Sequence, residues 1–126
     1  MYAAGRPHRY KAACARLLQE ATAGGDEYAV DTELLQDVLH VYAMRGERAR
    51  GLQTCEDLLR VFPSPIAIRR EEVLVASRMM GRHQFLSARD AIHAAVAQVW
   101  ETEGIVSADR VFDRLPELKR FDPLAL

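Results

Sequence analysis

An α/β fold, a three-layer sandwich whose short parallel sheet is flanked by helices, is what this 126-residue chain predicts. Three observations carry the expectation. Short apolar runs alternate with longer segments of helical periodicity, the signature of parallel βαβ units. The first such run leads directly into its helix. The length suits one domain over 1–126 that buries roughly two-thirds of its unfolded surface, and no internal repeat, linker or low-complexity segment divides it.

Taken in order, Lys11 to Ala23 places Ala13, Cys14, Leu17, Leu18 and Ala21 on one face of a first helix, which Gly24-Gly25 stops. Glu27 to Val30 reads as a short strand, after which Asp31 or Thr32 caps a helix carrying Leu34, Leu35, Val38, Leu39, Val41 and Tyr42 on one side until Gly46. A third helix covers Arg48 to Val61 and ends at Pro63 and Pro65, and Ile66 to Ile68 forms a second, buried strand. Arg69 to Met80 is a fourth helix, closed by Gly81. Ser87 opens a fifth through a Ser-x-x-Asp capping arrangement that continues through Trp100 toward Gly104. Ile105 to Ser107 is a third strand, Asp109 to Leu115 a turn or two of helix, and Leu118 to Phe121 an edge strand.

Hydrophobic residues at 49% and charged residues at 28% describe a soluble globular protein, and no apolar run is long enough to span a bilayer. The opening residues Met1 to Arg6 carry no secretory pattern, so the expected location is the cytoplasm. A formal net charge of −1 argues against broad, non-specific coating of nucleic acid but leaves room for a local basic rim. Arg6, Arg9, Lys11, Arg45, Arg48 and Arg50 are candidates for such a rim, and equally for ordinary solvated faces. Cys14 and Cys55 lie far apart and in no CxxC pair, which argues against a disulfide or zinc site. The four histidines form no HExxH spacing, and no glycine-rich phosphate loop is present.

The chemistry concentrates in aspartates. Asp109 follows its strand by two residues, where open α/β sheets place ligands, and Asp90 occupies the first turn of the preceding helix. Asp37 falls on the flank of the apolar stripe of its helix, while Gln36 and His40 face away from it. On the fifth helix Ile92, Val96, Val99 and Trp100 form the bulky face, and the surface around Asp90, Ala94 and Ala97 leaves room for a neighbour or ligand. Carboxylates gathered at one rim repel one another and are tolerated mainly with a hard cation such as Mg²⁺ or Mn²⁺, which suits phosphodiester hydrolysis. Each acid also has a plainer role. Asp90 can complete the cap with Ser87, Asp109 can cap the turn after it, and Asp37 can be a surface helix residue.

The segments Leu86-Ser87-Ala88-Arg89-Asp90-Ala91-Ile92-His93-Ala94-Ala95-Val96-Ala97, Ile105-Val106-Ser107-Ala108-Asp109-Arg110-Val111-Phe112-Asp113 and Leu118-Lys119-Arg120-Phe121-Asp122-Pro123 strongly resemble the C-terminal half of PIN-domain proteins, especially VapC-type toxins. A weaker likeness runs through Leu34-Leu35-Gln36-Asp37-Val38-Leu39. The resemblance implies a Mg²⁺- or Mn²⁺-dependent endoribonuclease of a type II toxin–antitoxin system, acting on structured RNA, commonly tRNA or rRNA, usually a homodimer and usually neutralised by a small antitoxin encoded beside it. It implies Asp37, Asp90 and Asp109 as catalytic metal ligands, with Ser107 and Asp113 in support, and Asp37 stands where the family generally has the longer Glu. Family members open with a central strand ending in an Asp. Here Met1-Tyr2-Ala3-Ala4-Gly5 resembles only the tail of that segment, so the PIN-like domain is expected to be N-terminally truncated, whether by a start placed downstream or by genuine shortening. That departure keeps alternatives open: a PIN-fold interaction module that binds a partner protein without cleavage, or a housekeeping RNA-processing nuclease.

Overall fold

Asp31 and Ser87, each followed by helix-forming residues, act where the capping logic puts them, and helices dominate the result. The computed structural model describes residues 11–22 and 27–126, and among these it contains five helices and one short parallel sheet. The Met1–Gly5 stretch, Arg6, Arg9, the Gly24-Gly25 stop and the side chains of Lys11 and Cys14 lie outside the described residues. Two compact units, Met1–Ile66 and Ala67–Leu126, divide the chain.

The first unit carries α1 (Lys11–Thr22), α2 (Thr32–Met44) and α3 (Arg48–Val61). Asp31, not Thr32, caps α2: its Oδ1 accepts the Leu34 N–H at 2.9 Å. Leu35, Val38 and Tyr42 are the buried part of the apolar stripe, and Leu39 is exposed. At the other end Gly46 adopts φ +73°, and Gly46 N–H and Glu47 N–H donate to the Ala43 and Tyr42 carbonyls, a Schellman closure that turns the chain into α3. Helix α3 then passes very close to α2, because a Cβ at Gly51 would lie 2.6 Å from that of Tyr42.

The strands expected at Glu27–Val30 and Ile66–Ile68 shrink to one parallel bridge between Asp31 and Ile66. Ile66 N–H donates to the Val30 carbonyl at 2.8 Å and Thr32 N–H to the Ile66 carbonyl at 2.9 Å. The reason is local: α2 begins at Thr32, and Pro63 and Pro65 lack the N–H donors a longer ladder needs.

The second unit carries α4 (Arg70–Arg82), α5 (Ala88–Val99), β1 (Ile105–Val106), a 3₁₀ turn at Arg110–Arg114, β2 (Arg120–Phe121) and a last 3₁₀ turn at Pro123–Ala125. Gly81 does not close α4, which runs on to Arg82. Its core joins Ala76 and Met79 of α4 to Ala91, Ala94 and Ala95 of α5, with Leu86, Phe112 and Leu115. Both faces of α5 contribute to the core: Val96 is buried and Ile92 packs against the cluster, and the alanine surface expected to stay open is buried with them. Ala94 is fully buried while Trp100, just past the helix, is 50% exposed, so the alanine surface is core rather than ligand space. Small side chains let two helices approach closely.

A buried carboxylate ties the ends of this helix pair together. Glu72 has a side chain 0% exposed and accepts from Arg69 N, Nε and Nη2 at 3.1, 3.0 and 2.7 Å and from Trp100 Nε1 at 3.2 Å. The Arg69 hydrogen bonds lower its pKa from 4.5 to about 2, against the opposing push of burial. A depressed carboxylate stabilises the fold above its unfolded pKa and loses that contribution as pH falls through the folded value. The stability gap between wild type and Glu72→Gln, read from urea midpoints, should accordingly narrow as pH falls from 4.5 to about 2. A gap constant over that range would show that the charge contributes nothing.

Strands β1 and β2 pair in parallel, Ile105 opposite Arg120 and Val106 opposite Phe121. Ile105 N–H donates to the Lys119 carbonyl at 2.9 Å, and Ser107 N–H to the Phe121 carbonyl at 3.1 Å. Glycine is required at 104 because a Cβ there would collide with the Lys119 carbonyl. No helix among the described residues is long and apolar enough to cross a membrane.

Candidate active site

The segment Ser107-Ala108-Asp109 leaves the end of β1, and short-range hydrogen bonds give it one shape. Ser107 Oγ accepts the Asp109 N–H at 3.0 Å, and Asp109 Oδ1 accepts the Val111 N–H at 2.9 Å, capping the 3₁₀ turn. This turn uses Asp109 Oδ1 and does not use Oδ2. Asp109 is exposed, and Ser107 is half-buried beneath it.

Arg120 lies under the same segment, its side chain only 10% exposed. Its Nη1 donates to the Ser107 carbonyl at 2.8 Å, its Nε to Asp113 Oδ1 at 2.9 Å, and Nη1 stands 3.4 Å from Asp122 Oδ2. The hydrogen bond to Asp113, aided by Asp122 and opposed by burial, raises the guanidinium above its ordinary pKa. Asp113, expected in a supporting place, is thus the counter-ion of Arg120. Arg120 itself was not singled out by sequence reasoning. The signal was available: it shares a strand face with half-buried Leu118 and has acids at 113 and 122 on either side in the chain.

Asp90 sits in the first turn of α5, half-buried, with its N–H donated to Ser87 Oγ at 3.2 Å. The cap is therefore the serine's, and the Asp90 carboxylate profits from the helix N-terminus without closing it. In the first unit Asp37 is half-buried on α2, with Gln36 and His40 exposed beside it, as its place on the flank of the stripe implied. Of the basic residues, Arg45 and Arg48 are exposed and Arg50 pairs with Glu47 at 3.5 Å.

Carboxylate and hydroxyl oxygens at Asp37, Asp90, Asp109 and Ser107 are the donor type that hard cations such as Mg²⁺ and Mn²⁺ take. Among the described residues no three or more His, Cys, Asp or Glu side chains form a group that could hold a metal ion. The fit of these residues to such an ion is one of donor chemistry.

A parallel strand thus runs into an acid-tipped turn, and the helix before it carries an acid in its first turn. The PIN domain model matches residues 1–118, and the chain belongs to the PIN-domain family. Within that class it is similar to VapC ribonuclease Mb1869c of Mycobacterium bovis and ribonuclease VapC13 of Mycobacterium tuberculosis. Each is 35% identical over 120 residues, which cover 95% of this chain and 92% of the relative. No solved structure gives a significant match.

Proposed function

We propose that this chain is an endoribonuclease of a type II toxin–antitoxin system, cleaving RNA phosphodiester bonds with Mg²⁺ or Mn²⁺ held by Asp37, Asp90 and Asp109. The observation that carries the reading is the Ser107–Asp109 turn at the end of β1, in a PIN domain with two VapC ribonucleases among its relatives. A bound cation would offset charge building on the phosphate and lower the pKa of a water molecule.

The protein's part is positional. Asp109 is held by its capping bond to Val111, so one oxygen is spoken for and the other can face a ligand. Ser107 orients the Asp109 backbone through its hydroxyl. Asp90 stands in the first turn of α5, where its carboxylate lies at the positive end of the helix dipole. Asp113 serves through Arg120 rather than as a ligand. The proposed setting is cytoplasmic, with a homodimer, an RNA substrate and an antitoxin that blocks access to it.

The test is cleavage of purified tRNA and rRNA by the full chain with Mg²⁺, with Mn²⁺ and with EDTA. Cleavage should require either cation, stop with chelator and return when cation is added in excess. Cleavage unaffected by EDTA overturns the metal requirement. No cleavage of either RNA with either ion overturns the enzyme reading in favour of a PIN-fold interaction module.

A further inference from the structure

We infer that Arg120 is a positioning residue for Asp109, acting through the Ser107 carbonyl, with Asp113 and Asp122 as the counter-ions that hold its guanidinium in place. The inference rests on the proposed role of Asp109.

Three successive peptide planes lead from β1 to Asp109, and each is pinned by one hydrogen bond. Ser107 N–H to Phe121 O fixes the first, Arg120 Nη1 to Ser107 O the second, and Asp109 N–H to Ser107 Oγ the third. Because each plane is rigid, fixing its neighbours leaves little freedom at Ser107 and Ala108, and the Asp109 carboxylate inherits that direction. The second bond is the one supplied by a side chain from another strand. Ladder bonds already pair β1 with β2, so the pairing has no need of a guanidinium, and burying one carries a desolvation cost. An aliphatic residue would hold the strand equally well. What it would not supply is directed donors: Arg120 Nε goes to Asp113 while Nη1 reaches both the Ser107 carbonyl and Asp122. A lysine has one compact ammonium and cannot span those directions.

The experiment compares wild type, Arg120→Met, Arg120→Lys and Asp113→Asn in the full chain. Three quantities are read: Mn²⁺ affinity by calorimetry, kcat and KM on RNA, and amide hydrogen exchange at Asp109 and Val111 without metal. Arg120→Met should lose about 10–100-fold in kcat and in Mn²⁺ affinity, the usual range for groups that orient a metal ligand, with KM nearly unchanged and exchange at Asp109 faster. Arg120→Lys should recover part of the loss, and Asp113→Asn should show a smaller one in the same direction. Wild-type kcat, Mn²⁺ affinity and exchange in Arg120→Met overturn the inference. If that variant does not fold, the same three values unchanged in Asp113→Asn overturn it. Wild type that neither binds Mn²⁺ nor cleaves RNA sinks the proposed function instead, and the amide exchange still reports whether Arg120 holds the turn.

Discussion

Asp109→Asn and Asp90→Asn should each reduce RNA cleavage by about 100-fold or more while the protein stays folded. The floor follows from the proposed role. Groups that merely orient a metal ligand cost about 10–100-fold when removed, and the ligand itself should cost at least as much. Asparagine is the right substitution because it separates two roles that coincide at each position. At Asp109 it accepts the Val111 N–H as well as aspartate does, so the cap survives and only the charge is lost. At Asp90 the cap belongs to Ser87 Oγ and the Asp90 backbone, which the change does not touch. The remaining penalty is the charge at the helix N-terminus, about 0.3–1 kcal/mol. If the two acids serve only as local helix-end residues, both variants cleave RNA at the wild-type rate in a gel assay, and the ligand assignment falls.

The second large effect is on stability. Met79→Ala should cost about 2–5 kcal/mol in urea unfolding, the range for removing a long apolar side chain from a core. Met79 is fully buried, and its cluster includes Ala76, Ala91, Ala94 and Ala95. Met79→Leu, which nearly conserves volume, should cost less than about 1.5 kcal/mol. Against a typical total of about 5–15 kcal/mol the alanine variant is severe. A loss under about 1 kcal/mol would mean that contact between α4 and α5 is not the principal core of the second unit.

Different parts of this molecule were legible to different degrees, and the difference is physical. The fifth helix could be read from Ser87 and Asp90 because a cap spans three residues, and the turn after β1 from Asp109 for the same reason. The burial of α5 could not. Its small-residue surface suggested open space, and the fold buried those alanines together with Val96, because how near α4 approaches is a property of two helices together. The short strands were overestimated in the same way. Glu27–Val30 has the composition of a strand, yet a ladder needs donors on its partner, and the prolines before Ile66 withhold them.

The aspartates show the same division. Their chemical character, hard oxygen donors placed at a helix start and just after a strand, was written in the order of the residues, as was the likeness to PIN domains. That Asp113 pairs with an arginine seven positions on, and that this arginine grips the carbonyl of Ser107, came from the folded chain. Periodicity and capping act over a turn of helix and can be read along a line. Pairing across a parallel crossover, and the choice of which surface to bury, depend on groups that meet only after the backbone has returned upon itself.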